Sequence, residues 1–418
     1  MKFFTISSTL LFLTFTLLYG SENYLNSFPF EHAGKTLKKE YCQKTKHDGM
    51  LCMYYQISYP VLLKGNNDTL ATRIEEKIKP FIQSYNRTDP EEEVREFLKE
   101  DGYETPGTWE HTTQVELFAS TPKSFTLSVS ESSYTGGAHG NYTTSFVNYN
   151  RENGKKIMLK DLFTEGYEAK LDKIAERYYK TYNGLKPDAN LTDAGWFENR
   201  FVLADTFAIT PKGLYFLYNP YEIKPYSEGV TTLLLPYDKL AEIIKPGSFI
   251  APLATKNSIQ SATFRQENMG EITVKSTLTA PHQVKLEVSM KNLSYHQRGW
   301  LSLSFPQLRS KKSIQRLKGR GFKTVHAYGK GSRIYHTQLR KAVRSHYLLV
   351  EGEARKWKKG ESRSVTLLLN LPAGMQDLFV DARGSFKEKG KTAVSFPEIY
   401  DGVEGQQGFG NYRIRIGL

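Results

Sequence analysis

Two groups of side chains in this 418-residue sequence have the types and spacing to do chemistry. The first is His139 in Gly136-Gly137-Ala138-His139-Gly140. Small residues there let backbone approach a ligand closely, and an imidazole titrates near neutrality. The same glycines equally suit a tight turn at positive φ, which makes His139 a passenger. No Lys-Ser/Thr pair follows Gly136-Gly137, so a phosphate-cradling loop is not expected. Neither Gly-x-Ser-x-Gly nor His-Glu-x-x-His occurs, which removes the most readily recognised hydrolase sites. Tyr221 and Tyr226, with Trp196 and Phe197, supply rings that would stack on a sugar, or that fill core and ordinary surface.

The second group is cationic. Arg309 to Arg344 holds twelve Lys+Arg and no Asp or Glu, among them Lys311, Lys312, Arg316, Lys318, Arg320 and Lys323. Lys356, Lys358 and Lys359 follow around Trp357. Unopposed charge of this kind captures an anionic surface such as lipopolysaccharide, lipid headgroups or acidic glycan, or forms a solvated face. Trp357 among lysines reads as a ring placed at headgroup level. His326, His336 and His346 recur at intervals of ten, which across strands does not gather them on one ion. No metal, cofactor or catalytic residue is expected.

Positioning these groups requires more than one core, because the chain exceeds the length that a single core usually serves. Hydrophobic residues at 39% and charged residues at 24% exclude wholesale disorder. Aromatics at 13% and 32 glycines favour strands with many turns. Met1-Lys2 and the apolar run Phe3 to Leu18 resemble a secretory signal peptide over 1–20, cleaved after Gly20. No Cys follows the run, so a lipoprotein is not expected, and the mature chain reads as exported to a periplasm or the extracellular space. In that oxidising setting the two cysteines, Cys42 and Cys52, flank an Asp48-Gly49 turn signal and are expected to be joined. Nucleic acid is not an expected partner of an exported protein. Asp188-Ala189-Asn190-Leu191-Thr192 is an acid-extended sequon that makes Asn190 a candidate for glycosylation.

Charge divides the chain. Residues 256–418 hold 29 Lys+Arg against 12 Asp+Glu, and the rest 28 against 32. The prolines and small polar residues of 245–257 mark the boundary. Before it, Leu70, Ile74, Ile78 and Ile82 predict a helix that Pro80 kinks or ends, and Pro90-Glu91-Glu92-Glu93 opens another. Strands are expected at 113–119, 124–130, 142–149, 206–209, 214–218 and 230–235, with a helix around 171–182 and a short one at 237–244. That mixed order means α+β. After the boundary, alternation in 272–278 and 284–290 and strand candidates at 300–305, 333–338, 347–353, 364–369, 377–383 and 412–416 predict an all-β, immunoglobulin-like sandwich.

Two separated signatures make the first part recognisable. One is Tyr134-Thr135-Gly136-Gly137-Ala138-His139-Gly140, then Asn148-Tyr149-Asn150 and Gly154 to Phe163. The other is Phe207 to Phe216, then Asn219-Pro220-Tyr221-Glu222-Ile223, Gly229 and Leu235-Pro236-Tyr237. Together, over roughly 38–245, they resemble a bacterial extracellular domain family. That family is shared by the lysozyme-sensing anti-sigma factor RsiV and the non-catalytic region of the peptidoglycan deacetylase PdaC. The resemblance implies an α+β envelope domain that binds, senses or protects. No polysaccharide-deacetylase signature and no His-x-x-x-His pair accompany it, so deacetylation is not carried over. Only Met1-Lys2 precedes the apolar run, so an anti-sigma role is not expected.

The expectation is an exported binding or sensing protein with an α+β domain at 21–253 and a basic sandwich at 257–418. The first would engage envelope glycan or a lysozyme-like protein, the second an anionic surface. The alternatives are a cell-wall glycan-modifying enzyme with an unrecognised site, or a structural, adhesive protein.

Overall fold

The computed structural model describes residues 32–46, 49–62, 68–99, 107–254, 259–266, 268–295, 297–336, 341–344, 347–387, 394–396 and 413–417. The segments read as signal peptide and as inter-domain boundary after Ala254 lie outside these residues, as does His346. Among the described residues, no helix is long and apolar enough to cross a membrane.

The first sheet has the order β1-β2-β3-β4-β5, from β1 (His32–Lys44), β2 (Met50–Leu62), β3 (Gly107–Ser120), β4 (Ser124–Tyr134) and β5 (Asn141–Asn150). Only β2 and β3 pair in parallel, because α1 (Asp68–Arg87) and α2 (Pro90–Phe97) form the crossover between them. Leu70, Ile74 and Ile78 of α1 pack on Val115, Leu117, Phe125, Leu127 and Val129 of the sheet. That packing carries α1 past Pro80, which is exposed, to Arg87, so the helix does not end at the proline. Asp89 caps α2 by accepting from the Glu91 and Glu92 amides at 3.0 and 3.3 Å. Cys42 and Cys52 stand directly opposite in the β1–β2 register and are joined as a disulfide.

A second unit follows. After α3 (Leu159–Leu162) and α4 (Glu168–Tyr182) comes a three-stranded sheet of β6 (Thr206–Ile209), β7 (Gly213–Tyr218) and β8 (Thr231–Pro236), closed by α5 (Tyr237–Leu240). The closing helix is one turn only, shorter than the sequence suggests. Leu171, Ile174 and Tyr178 of α4 join Phe216, Leu233 and Leu235 of the sheet in one core. Asn148 ties this unit to the first: its buried amide donates to the Phe207 carbonyl and accepts from the Ile209 amide, both at 2.8 Å.

The C-terminal part is β-rich: two sheets face each other over one core. One sheet has the order β13-β18-β11-β10-β9, from β9 (Ile259–Gln266), β10 (Gly270–Ala280), β11 (Gln283–Asn292), β13 (Ile314–Arg320) and β18 (Ser362–Asn370). The other contains β12 (Arg298–Phe305), β14 (Thr324–Tyr328), β17 (Leu348–Ala354), β19 (Asp377–Lys387), β20 (Val394–Phe396) and β21 (Arg413–Gly417). A small hairpin, β15 (Arg333–His336) with β16 (Lys341–Arg344), stands apart. Alternating residues of both sheets, such as Val274, Leu286, Val288 and Leu367 against Leu303, Val350 and Val380, fill the space between them.

Period-2 alternation also links the two parts. Leu378, Val380 and Ala382 of β19 enter the sandwich core, so Phe379 points out of its back. There Phe379 meets Tyr182 at 5.0 Å and Tyr178 at 5.8 Å, inside the preceding unit's core. Arg415, its register partner on β21, grips Asp238 of α5 through two contacts of 2.7 and 2.6 Å and Asp377 at 2.7 Å.

Candidate functional site

The first site forms where the β4–β5 connection meets the β7–β8 connection. Asn219 acts as a stand-in peptide unit: its side-chain oxygen accepts from the Thr144 amide at 2.7 Å and its amide donates to the Thr144 carbonyl at 3.2 Å. This docks the Asn219-Pro220-Tyr221-Glu222-Ile223 segment on β5, with Tyr221 held at φ 70°. A non-glycine residue at positive φ is strained and is kept only where its surroundings insist on it.

The result is a cluster of four rings at the surface. His139 stacks on Tyr226 at 4.0 Å with planes 15° apart. Tyr142 meets Tyr226 edge-on at 5.8 Å, and Tyr221 lies 5.6 Å away. His139 Nδ1 donates to the Gly140 carbonyl at 2.9 Å, which fixes the ring's orientation. Gly136 and Gly137 sit at φ 97° and 91°, and a Cβ on either would meet nothing within 4 Å. They therefore serve the turn, through conformation rather than by clearing space for a ligand. Gly140 differs, because a Cβ there would lie 2.8 Å from the Ser133 carbonyl oxygen.

Thus His139, Gly136, Gly137, Tyr221 and Tyr226 come together in one place, although more than eighty residues separate the two segments. Tyr142 completes the cluster and escaped the sequence reading because it sits in an ordinary strand pattern. Trp196 takes the core alternative: it is 4% exposed and its Nε1 donates to the Tyr179 hydroxyl at 2.8 Å. Phe197 beside it is exposed. Stacked rings with phenol hydroxyls and an imidazole can hold a planar or sugar-like face. They do not amount to a nucleophile with a base.

The cationic groups occupy one edge of the sandwich. Lys311 and Lys312 form a 3-10 turn capped by Ser310 and lead into β13, the terminal strand of its sheet. Arg316, Lys318 and Arg320 alternate along β13 opposite Leu368, Thr366 and Ser364, on the face away from the core. Lys323 lies in the turn to β14, which is the terminal strand of the other sheet. All six are exposed. Lys356, Lys358 and Lys359, also exposed, lie in the β17–β18 connection. Arg363 joins that connection to the β13–β14 turn by donating to the carbonyls of Gly321, Arg355 and Lys356. Acidic partners sit at this end too: Glu353 bridges Arg298 and Arg355 at 3.1 Å each. Burial alone would raise the Glu353 carboxyl's pKa, but the two guanidiniums outweigh it and hold the carboxyl below its usual range.

Trp357 is the main correction at this edge. It is fully buried, with Phe386 at 5.4 Å, Phe322 at 5.7 Å and the Arg363 guanidinium 5.0 Å from its ring. Lys356 at φ 54° reverses the chain just before it, which turns the ring inward while the lysines stay out. The exposed aromatic of this region is instead Tyr295, 83% exposed, with Lys359 Nζ 4.0 Å above its ring.

Asn190 is exposed, and its side-chain oxygen accepts from the Thr192 amide and hydroxyl at 3.0 and 2.8 Å. Glu40, Cys42 and Cys52 bring three metal-type donors together among the described residues, but both sulfurs are committed to the disulfide.

Two family models match segments of the N-terminal part. Residues 45–142 match the family model described as Deacetylase PdaC, and residues 160–238 match Protein of unknown function (DUF3298). No curated protein matches the chain. Among solved structures, a DUF3298 family member from Bacteroides fragilis is 19% identical, over 55% of this chain and 99% of its own, with a TM-score of 0.42. One from Pseudomonas aeruginosa is 24% identical, over 52% and 97%, with a TM-score of 0.38. The collagen-binding domain of a Staphylococcus aureus adhesin is 8% identical, over 39% and 99%, with a TM-score of 0.19. The ring cluster takes His139 and Tyr142 from the first matched segment and Tyr221 and Tyr226 from the second. The N-terminal part carries a segment that matches PdaC followed by one that matches DUF3298, and the two families suggest a cell-envelope-associated protein.

Proposed function

We propose that the protein is an exported, non-catalytic binding or sensing protein of the cell envelope. Its basic, immunoglobulin-like sandwich holds it to an anionic surface. Its N-terminal part engages envelope glycan or a lysozyme-like protein through the face around His139 and Tyr226. The observation that carries the reading is the ribbon of exposed cations along the sandwich edge. Arg316, Lys318 and Arg320 project from alternate positions of β13, roughly 6.6–6.8 Å apart by strand geometry. Lys311 and Lys312 extend the ribbon at one end and Lys323 with Lys356 at the other. Each such charge near an anionic membrane is worth about 1 kcal/mol. Tyr295, beside Lys359, takes the interfacial place that the sequence suggested for Trp357.

Replacing Lys311, Lys312, Arg316 and Lys318 by Gln tests the reading on immobilised lipopolysaccharide. Retention should fall at least 10-fold, since about four charges at about 1 kcal/mol each are removed. Unchanged retention of a folded variant would leave the ribbon as a solvated face.

A further inference from the structure

We propose that the cleft between α1 and the polar end of the first sheet is a binding site for an uncharged or amino-bearing sugar ring. This rests on the reading of the N-terminal part as glycan-binding, but places the sugar in a cleft that shares only Tyr142 with the His139–Tyr226 cluster. One sheet face explains the cleft. Val115, Leu117, Leu127 and Val129 on that face pack under α1. Two and four residues further along, the same face becomes Thr113 and His111 on β3, and Glu131 and Ser133 on β4. α1 continues above this polar stretch with Phe81 and Tyr85. Apolar packing therefore stops, and a cleft of about 400 Å³ remains between helix and sheet. That lies within the range of small-ligand sites, about 300–1,000 Å³.

The lining has the two surfaces a pyranose needs. Tyr55 and His111, register partners on β2 and β3, stack on each other at 5.0 Å with planes 12° apart, so each covers one face of the other and the pair offers a sugar its outer faces and edges. Tyr55 is held in place by donating its hydroxyl to Glu93 of α2 at 2.5 Å. Hydroxyls and the Glu131 carboxylate on the neighbouring strands supply acceptors and donors for sugar hydroxyls. Among the described residues no Lys or Arg lines the cleft. Lys39, close by, spends its ammonium on the carbonyls of Tyr85, Asn86 and Thr88 at the end of α1. A phosphate or other anion would thus meet Glu131 without a countercharge, which favours a neutral or cationic ligand. Tyr85 in the wall adds a buried hydroxyl that has no hydrogen-bond partner among the described residues. Such a group is costly unless something satisfies it, and a ligand seated here would lie against that wall.

Calorimetric titration of the exported, oxidised chain with chitotetraose and with maltotetraose tests the site. Binding of at least one is expected at millimolar affinity or better, roughly the range of a small neutral ligand. Glu131→Gln, on an exposed side chain that leaves the core intact, should weaken it about 5-fold, and His111→Ala about 10-fold, as a hydrogen bond and a stacking face are lost. Glu198→Gln, at an exposed side chain in neither the cleft nor the His139–Tyr226 face, should leave it unchanged. Loss of binding in Tyr226→Ala with full binding in Glu131→Gln and His111→Ala would overturn the cleft assignment and leave the glycan reading standing. Absence of binding to both oligosaccharides would overturn both.

Discussion

At the scale of single residues, local sequence singled out candidate side chains but showed neither which of them gather nor which way they face. No spacing put His139 and Tyr226 side by side, although each was legible as a candidate, one in a glycine-rich loop and one beside Tyr221. The direction of Trp357 was not legible, because a run of lysines around a tryptophan reads the same whether the ring points out or in. The left-handed backbone at Lys356 decides it, and a lysine there gives no signal of positive φ. Trp357→Ala should therefore cost about 3–5 kcal/mol in unfolding free energy, the loss expected of a fully buried ring, rather than leave stability unchanged as an interfacial residue would. Denaturant unfolding followed by circular dichroism measures it. Tyr85→Phe should do the reverse. It removes the buried, unpartnered hydroxyl and is expected to raise unfolding stability by about 1 kcal/mol or leave it unchanged. A drop of similar size would mean that the hydroxyl is satisfied.

At the scale of elements, the strands with clean alternation were the legible ones. Thr273-Val274-Lys275 in β10 and Lys285-Leu286-Glu287 in β11 put apolar residues on one face only, and both strands appear as expected, extended by one or two residues. β13 and β14 were missed as strands because they are terminal in their sheets and half-wet. Ile314 and Leu317 are only partly buried, so charge hides the alternation. Exposed cations on β13 also discourage edge-to-edge association, a second use of the same residues. β1 was expected as the first strand of the Cys42–Cys52 hairpin but without bounds, because Lys38, Lys39 and Glu40 obscure its alternation. The disulfide that pins this hairpin was legible from the turn signal between two cysteines in an exported context. Closing so short a loop should contribute about 2–3 kcal/mol through the unfolded chain. Reduction is therefore expected to lower the N-terminal part's melting transition and leave the sandwich transition in place, read by calorimetry with and without reductant.

At the scale of the whole molecule, charge asymmetry announced two parts, but nothing in the sequence announced how they join. Phe379 and Arg415 sit at strand positions whose outward face looks like solvent in sequence and is an interface in the fold. Burial would raise the Asp238 carboxyl's pKa, yet the Arg415 guanidinium's hydrogen bonds and charge hold it below its usual range. A carboxylate with a depressed folded pKa stabilises above its unfolded value, near pH 4, and loses that contribution as pH falls through the folded value. Acidification below about pH 4 should thus loosen the junction. Arg415→Met should cost about 3–5 kcal/mol at neutral pH by stranding Asp238, while Asp377 keeps Lys239 at 2.8 Å, and should flatten the acid dependence. Unfolding midpoints of both proteins across a pH series measure this.

The central claim, that the cationic edge holds the protein to an anionic envelope surface, is tested most directly by co-sedimentation with vesicles. Anionic and neutral vesicles are compared from about 50 to about 500 mM salt, a range over which screening shortens severalfold, with a vesicle-free control for self-association. The account predicts pelleting with anionic vesicles alone, falling steeply as salt rises and lost in the variant with Lys311, Lys312, Arg316 and Lys318 replaced by Gln. Equal pelleting with both vesicle types, indifference to salt, or no pelleting with either would contradict it.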